Sequence, residues 1–403
     1  MPVMKLSVLL CVALFVMGPI QINAQAIPDR PGGAQPVSLN KPRIAPLSEA
    51  QWTDAHRKLV ATFTSDGKAD NALKTLLNAP EMVEALMPIT HYLSRDSSLS
   101  PRHRELLMLR TAWLGGSQFL WSSHATLARK GTLTAAEIRR IAQGPDAQGW
   151  DAFEAMLLRM ADQLYRNSSV DDATWKTLAA NYDLYHLMDA VETVNHFTLL
   201  STMYNSFGVQ PDDGTTERLP TDIPYKVVVP PRESPLKVAR IEPLPGNGIA
   251  IGRTFAHYPK LETERGRRSN YINRVSPVSP RYREMLILRV GWDSQSEYEW
   301  AQHVGTTGRA RDYGLDPVRI AQGPDATGWD SFEVMILRAA DELYRDAIVS
   351  DRTWNALSAR FDTKMLMSAL FTASSYRSTS TALNTFGVRL EPNNERFPQL
   401  PSR

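Results

Sequence analysis

An internal repeat constrains the fold of this chain more than any other feature of its sequence. Residues 101–105 return in nearly the same order as residues 280–284, and residues 141–147 return as residues 320–326, 179 positions later in both cases. The correspondence needs no gap between residues 101 and 209. Similarity of the sequence to itself at one fixed spacing indicates a structural unit that occurs twice in the chain. Since 403 residues is the length of two ordinary domains, we predict two copies of one domain.

The repeat also sets the expected domain boundaries. We predict a first domain over residues 51–210 and a second domain over residues 248–403. Proline and glycine cluster between the two, so residues 211–247 are predicted to form a Pro-rich linker. Ahead of the first domain, residues 27–50 are predicted to form an extended N-terminal arm.

Residues 1–26 have the pattern of a secretory signal peptide. Lys5 precedes an apolar run of about 13 residues, and small and polar residues follow this run up to Ala26. The run is shorter than the roughly 20 residues that a transmembrane helix needs. We therefore expect a secreted or periplasmic protein that does not contact the membrane once the leader is cleaved. A retained membrane anchor is the alternative.

Charge and cysteine content exclude several classes of function. The 45 basic and 43 acidic residues are too balanced to favour nucleic acid as a partner. The one cysteine, Cys11, lies inside the leader, so the mature chain has no disulfide, redox pair or multi-cysteine zinc site of its own. The eight histidines form no HxxxH or HExxH array. We therefore expect no metal site.

The apolar periodicity inside each repeat is helical. Ser100 and Pro101 have the pattern of an N-cap followed by proline at the first helical position, and apolar residues then recur at intervals of three and four. Asp151 and Glu154 suggest a capping box at the start of a long helix, and the same pair recurs in the second repeat. Sustained β-alternation is missing, so we predict an all-α fold.

A glutamate and a histidine recur at apolar helix positions in both repeats. Glu105 and His124 are 19 residues apart, as are Glu284 and His303. Burying a carboxylate is costly unless it is paired. The structural alternatives are a salt bridge between each glutamate and the arginine one turn earlier, and a satisfied core histidine. The recurrence argues against a chance surface location for either group.

The two repeats differ next to the histidine. In the second repeat, Glu299 and Ser296 share a helical face with His303. A carboxylate one turn from an imidazole raises the imidazole pKa and fixes its tautomer, as an acid/base group requires. The first repeat has Leu120 in place of this glutamate. Its site either does different chemistry or has become a structural partner, and we favour the second repeat as the more competent site.

Residues 296–303 resemble the signature of the carboxymuconolactone decarboxylase family, and the preceding residues 281–289 resemble the helix before it. Residues 254–259 and 386–388 are similar to the family as well, and the likeness extends over nearly the whole of both repeats. It implies the all-α fold that this family shares with alkylhydroperoxidase D-like proteins. We therefore expect two tandem domains of this kind in a pseudo-twofold arrangement. We also expect self-association, with a trimer of such chains as one candidate assembly.

The resemblance also implies site residues. The proton-relay glutamate and histidine of the family correspond to Glu284 and His303, and in the first repeat to Glu105 and His124. The candidate substrate-binding residues are Arg281, Arg283, Arg289, Tyr298, Trp300 and Ser296. A guanidinium group would hold a substrate carboxylate bidentately, although surface or interhelix pairing of these arginines is the alternative.

Thiol chemistry is disfavoured by the same resemblance. The two cysteines of the thiol-dependent relatives would fall on Ser296 and Glu299 in the second repeat, and on Ser117 and Leu120 in the first. None of these residues is cysteine, so a thiol peroxidase would need a different nucleophile.

The resemblance implies a cofactor-independent lyase or isomerase that acts on a small carboxylated, lactone-like metabolite. His303 would be the general acid/base, Glu284 its orienter or relay, and Glu299 would tune its pKa. A non-catalytic helical binding or scaffold protein with degenerate sites is the alternative, and the loss of the second glutamate from the first repeat supports it.

Overall fold

The computed structural model describes residues 38–230, 232, 236, 238–304 and 309–400. These residues form helices and connecting segments, with no β-strand among them, so the predicted all-α fold is confirmed. The signal peptide predicted for residues 1–26 lies outside the described residues. None of the described helices has the length and apolar character needed to cross a membrane.

The part of the chain that the structure describes contains seventeen α-helices. They are α1 (Asp54–Phe63), α2 (Asn71–Leu76), α3 (Pro80–His91), α4 (Pro101–Leu114), α5 (Gln118–Ala128), α6 (Ala135–Gln143), α7 (Ala152–Asn167), α8 (Asp172–Ala179), α9 (Leu184–Phe207), α10 (Ala250–Phe255), α11 (Pro259–Asn270), α12 (Pro280–Asp293), α13 (Glu297–Val304), α14 (Pro317–Gln322), α15 (Ser331–Asp346), α16 (Asp351–Ser358) and α17 (Thr363–Phe386).

Helices recur at the spacing of the sequence repeat. Helices α2, α3, α4, α5, α7, α8 and α9 begin 179 residues before α10, α11, α12, α13, α15, α16 and α17. A short π-helical segment follows both α3 and α11, at Tyr92–Asp96 and Tyr271–Val275. Corresponding stretches of sequence therefore adopt the same local structure in both repeats.

Local signals in the sequence explain where these helices begin and end. The Ser100 and Ser279 side chains cap α4 and α12, each of which has proline in its first turn. Gly208 ends α9 in the left-handed conformation, at a φ of 72°, which an L side chain adopts only with strain. The predicted capping box of α15 is present, whereas Asp151 caps α7 without help from Glu154.

The two halves pack through corresponding elements, as a pseudo-twofold axis requires. The long helix α9 packs against α17, and α3 packs against α11. The ion pairs are reciprocal as well: Arg43 Nη2 lies 2.6 Å from Asp351 Oδ1, and Arg240 Nη2 lies 2.5 Å from Asp172 Oδ1. The halves therefore meet through equivalent helices and a reciprocal set of two ion pairs, and the predicted pseudo-twofold arrangement is present.

The segments outside the helices pack along the helical core. In the arm, the Ser38 hydroxyl donates to the Gly116 carbonyl at 2.6 Å. In the segment between the halves, the Tyr225 hydroxyl donates to the Leu114 carbonyl at 2.9 Å, and Ile223 is buried. Both contacts hold these segments against the C-terminal end of α4.

Candidate active site

Two consecutive helices of the second half bring the predicted catalytic residues together. Glu284 lies on α12, and Glu299 and His303 lie on α13, one turn apart. Gln295, with a φ of 51°, forms the tight turn between these helices. Because α13 then packs back against α12, the 19-residue spacing in sequence becomes a direct contact in space.

His303 is held between two carboxylates. Its Nδ1 atom lies 2.7 Å from Glu284 Oε2, and its Nε2 atom lies 3.1 Å from Glu299 Oε1. All three side chains are buried, and the edge of the Tyr376 ring packs at 5.1 Å between ring centroids. The imidazole therefore has both nitrogens engaged and its plane fixed.

The two carboxylates keep His303 charged. Burial opposes the positive charge and lowers the imidazole pKa, but the charges and hydrogen bonds of Glu284 and Glu299 outweigh it and raise the pKa of His303 to about 9. The buried Tyr376 phenol has a raised pKa because burial disfavours its anion. At neutral pH the site thus contains an imidazolium beside a neutral phenol.

Glu284 keeps one oxygen uncommitted. Its Oε1 atom is buried and has no hydrogen-bond partner among the described residues. Arg309 Nη1 and Arg283 Nε lie 3.7 and 3.9 Å away, which is close enough for charge attraction but too far for a hydrogen bond. Two guanidinium groups thus stabilise the negative charge of the carboxylate that pairs with His303.

His303 and Glu299 line a cavity of about 520 Å³, which is a common size for a small-molecule site. The rest of the lining is mostly polar and basic. It comprises Ile249, Ile251, Gly252, Glu262, Arg265, Gly266, Arg268, Ser269, Asn270, Ile272, Asn273, Arg274, Tyr298, Gln302, Arg309, Ser375, Tyr376 and Thr379. We call this space the second-repeat cavity.

One arginine of this cavity is buried and incompletely satisfied. Arg268, on α11, is 4% exposed, and its Nη2 donates to Glu192 Oε2 of the other half at 3.3 Å. Its Nη1 has no hydrogen-bond partner in the described structure. Burial lowers the pKa of this guanidinium, and the attraction of Glu192 offsets that effect in part. A buried, unpaired donor beside a cavity is a binding position for an anionic group.

Two arginines predicted to bind substrate do not line the cavity. Arg281 Nη2 bonds Glu333 Oε1 at 2.6 Å, and Arg289 Nε bonds Asp341 Oδ1 at 2.5 Å. Arg289 Nη2 also lies 3.3 Å from Asp293 Oδ1. Both arginines therefore form ion pairs between helices, which was the alternative to substrate binding.

The other four predicted substrate-binding residues have different surroundings. Tyr298 lines the cavity, and its hydroxyl donates to Glu391 Oε1 at 2.8 Å. Arg283 is buried beside Glu284 and lies outside the lining. Ser296 and Trp300 are fully buried and do not line the cavity, and Trp300 packs among aromatic rings. Of the predicted substrate contacts, only Tyr298 faces the cavity.

The first half has a smaller cavity with a simpler histidine pair. His124 Nδ1 lies 3.0 Å from Glu105 Oε2, and Leu120 occupies the position of the second carboxylate. His124 and Leu120 line a cavity of about 290 Å³, which we call the first-repeat cavity. The edge of the Phe197 ring packs on His124, as Tyr376 does on His303. The salt bridge considered for Glu105 is absent, because Arg102 bonds Glu137 and Glu154 instead.

The sequence analysis did not predict the arginines that line the second-repeat cavity, although the sequence contains a signal for two of them. Arg265 and Arg268 of α11 occupy the positions of Leu86 and Ile89 in α3, at the 179-residue spacing. An exchange of apolar residues for arginine inside a repeated helix indicates a changed environment on that face. Comparing the repeats position by position would have pointed to α11.

Within the described part of the chain, no group of three or more His, Cys, Asp or Glu side chains is arranged to hold a metal ion. The expectation of cofactor-independent chemistry stays a prediction.

Comparison with known proteins gives one family match, which lies within the first half. Residues 80–162 match the carboxymuconolactone decarboxylase family. The match to the carboxymuconolactone decarboxylase family runs from the start of α3 into α7, so it includes Glu105 and His124. No curated protein matches the chain.

A solved structure is also similar to part of this chain, at low sequence identity. It is described as the crystal structure of an alkylhydroperoxidase AhpD core, an uncharacterized peroxidase-related protein from Ralstonia eutropha JMP134. It shares 20% sequence identity with this chain, covers 45% of it and 95% of its own length, and gives a TM-score of 0.38.

Proposed function

We propose that the second half is a cofactor-independent acid/base site that acts as a lyase or isomerase on a small carboxylated, lactone-like metabolite. The observation that supports this most is the imidazole of His303, held between two carboxylates at the wall of an arginine-lined cavity. The carboxymuconolactone decarboxylase family match adds support from the corresponding pair in the first half.

The cavity supplies the contacts that such a substrate needs. The free Nη1 donor of Arg268 would hold the substrate carboxylate, with Arg274 and Arg309 adding positive charge. When carbon dioxide leaves, the electron pair of the broken C–C bond delocalises onto the lactone carbonyl oxygen. Preorganised positive charge in a buried site stabilises the resulting enolate-like oxygen.

Protonation of carbon completes the reaction. The imidazolium of His303 holds a proton between its Nε2 atom and Glu299, and Glu299 lines the cavity. The proton would pass through Glu299 to the substrate carbon, while Glu284 stabilises the imidazolium from the opposite side. His303 would regain its proton from water to complete the cycle.

The direct test is turnover of small lactone acids by the full chain and by two variants. We expect consumption of the acid by the wild type and loss of this activity in His303→Ala. Turnover that survives both His303→Ala and His124→Ala would contradict the assigned site.

A binding protein without catalysis is the second candidate. The replacement of the second carboxylate by Leu120 in the first half favours it, because a site that binds without proton transfer does not need that group. Under this alternative, calorimetry would detect saturable binding of a lactone acid that Arg268→Leu weakens, while product analysis would detect no conversion.

A further inference from the structure

His124 leaves one ring nitrogen open to the first-repeat cavity. Its Nδ1 atom pairs with Glu105 Oε2 at 3.0 Å, and its Nε2 atom has no hydrogen-bond partner among the described residues. The ring lines the cavity, where Leu120 replaces the carboxylate that covers Nε2 of His303. The nitrogen without a partner therefore belongs to a side chain that lines the space where a ligand would lie.

The hydrogen bond to Glu105 fixes what the open nitrogen can do. A carboxylate only accepts hydrogen bonds, so Nδ1 of the neutral ring carries the hydrogen and donates it. Nε2 is then the unprotonated nitrogen and an acceptor. A ligand that pairs with the neutral ring presents an O–H or N–H donor to Nε2.

Four aromatic side chains besides histidine contribute to the walls around His124. Phe63, Phe119 and Phe197 line the cavity, and Phe119 meets the Tyr204 ring edge-on at 5.5 Å between centroids. Phe197 packs on the His124 ring itself. Such walls accept an aromatic ring in offset or edge-on contact.

The charges of this cavity do not favour an anion. The basic side chains Lys68 and Arg95 are matched in the lining by Asp66 and Asp70. The second-repeat cavity has four arginines in its lining, and two of these positions are apolar in the first half. An uncharged ligand therefore avoids the cost of an unmatched charge in the first-repeat cavity.

We propose that the first-repeat cavity is a second binding site, which takes an uncharged single-ring phenol whose hydroxyl donates to His124 Nε2. The volume of about 290 Å³ is at the small end of ligand pockets, which suits a single ring. The two halves then bind different chemical classes, a carboxylate in the second and a phenol in the first. This site is independent of the reaction proposed for the second half.

Calorimetric titration of the full chain with 4-methylphenol tests the proposal, and 4-methylanisole, which lacks the hydroxyl donor, is the matched control ligand. We expect saturable binding of the phenol and affinity for the anisole lower by about tenfold or more, the loss expected when a polar partner is left unpaired. Equal affinities, or no binding of the phenol, would overturn the proposal.

Variants locate the binding. Leu120→Glu would copy the arrangement of the second half and engage Nε2, and the exposed Leu127 on the same helix offers Leu127→Glu as a matched control. We expect Leu120→Glu to weaken phenol binding by about tenfold or more and Leu127→Glu to leave it unchanged.

Ser123→Phe, at a half-buried lining position, fills the cavity without a new charge and should weaken binding similarly. Circular dichroism checks that each variant folds. Phenol affinity unchanged in both cavity variants would overturn the assignment.

Discussion

The two cavities of this chain share a fold and a Glu–His pair but differ in what surrounds the pair. In the second half, Glu299 pairs with Nε2 of His303, and four arginines line the cavity. In the first half, Leu120 replaces this carboxylate, and Phe63, Phe119, Phe197 and Tyr204 lie among the lining residues. The same Glu–His pair therefore has different chemistry available to it in the two halves, because a second carboxylate pairs with Nε2 only in the second half.

The largest effect is expected from neutralising the Glu284–His303 pair. Glu284→Gln removes the charge that stabilises the imidazolium, and His303→Gln removes the proton donor. We expect each to lower kcat for lactone-acid turnover by about 10²–10⁴-fold, the usual contribution of a positioned acid/base group. Steady-state kinetics checks this, and kcat within a factor of about two of wild type in His303→Gln would contradict the proposed role.

Substitution of Arg268 should separate binding from chemistry. Arg268→Leu gives α11 the apolar character that α3 has, and we expect KM for the acid to rise by about tenfold to a hundredfold, the cost of losing one charged hydrogen bond. Arg267 is exposed and pairs with Glu264 on the same helix, so Arg267→Leu is a matched control. If both variants raised KM equally, the loss would come from α11 in general and not from the cavity donor.

The stability of the fold should depend on pH through His303. Its folded pKa of about 9 is above the ordinary unfolded value of about 6.5, so the stabilisation is complete below pH 6.5 and is lost as the pH rises through 9. The difference corresponds to at most about 3 kcal/mol. Urea unfolding at pH 6 and pH 10 measures it. His303→Gln should show a smaller loss between these pH values, and an equal loss would contradict the prediction.

Glu299→Leu would convert the second half to the arrangement of the first. Loss of one carboxylate should lower the pKa of His303 from about 9 toward its ordinary value. Burial lowers this pKa, and in the variant only Glu284 is left to raise it. Histidine NMR titration of the variant checks the direction. Glu297→Leu, on the same helix but paired with Arg396 at the surface, is the control and should leave the titration unchanged.

The smallest effect is expected at the reciprocal ion pairs of the pseudo-twofold arrangement. Asp351 and Asp172 are mostly exposed, so each pair should contribute no more than about 1 kcal/mol to the free energy of unfolding. Because the two pairs are equivalent, Asp351→Asn and Asp172→Asn should destabilise the chain by similar amounts in urea titrations. A large difference between them would break the equivalence of the two halves.

Much of the fold was predictable because helices leave local signals. Local sequence signals mark helix ends, such as the N-caps at Ser100 and Asp330 and the glycine after Phe207. The sequence repeat predicts in addition that the chain has two similar halves. The Glu284–His303 contact was also predictable, since a constant 19-residue spacing in both repeats indicates one geometry. The predicted secretion and self-association stay predictions.

The cavity lining could not be derived in the same way. Whether an arginine faces a cavity or a neighbouring helix depends on tertiary contacts, as the Arg281–Glu333 and Arg289–Asp341 pairs illustrate. Arg268 reaches its cavity from a helix that precedes the catalytic motif, and its partner Glu192 belongs to the other half. Pairings across such distances in sequence leave no local pattern.

The most direct test of the account is the NMR titration of His303 in the wild-type chain, assigned by comparison with His303→Gln. We predict that this imidazole titrates at about pH 9, because the two carboxylates outweigh the effect of burial on its pKa. Titration near pH 6.5, with Glu284 and Glu299 in place, would contradict the claim that this half maintains a charged acid at its cavity.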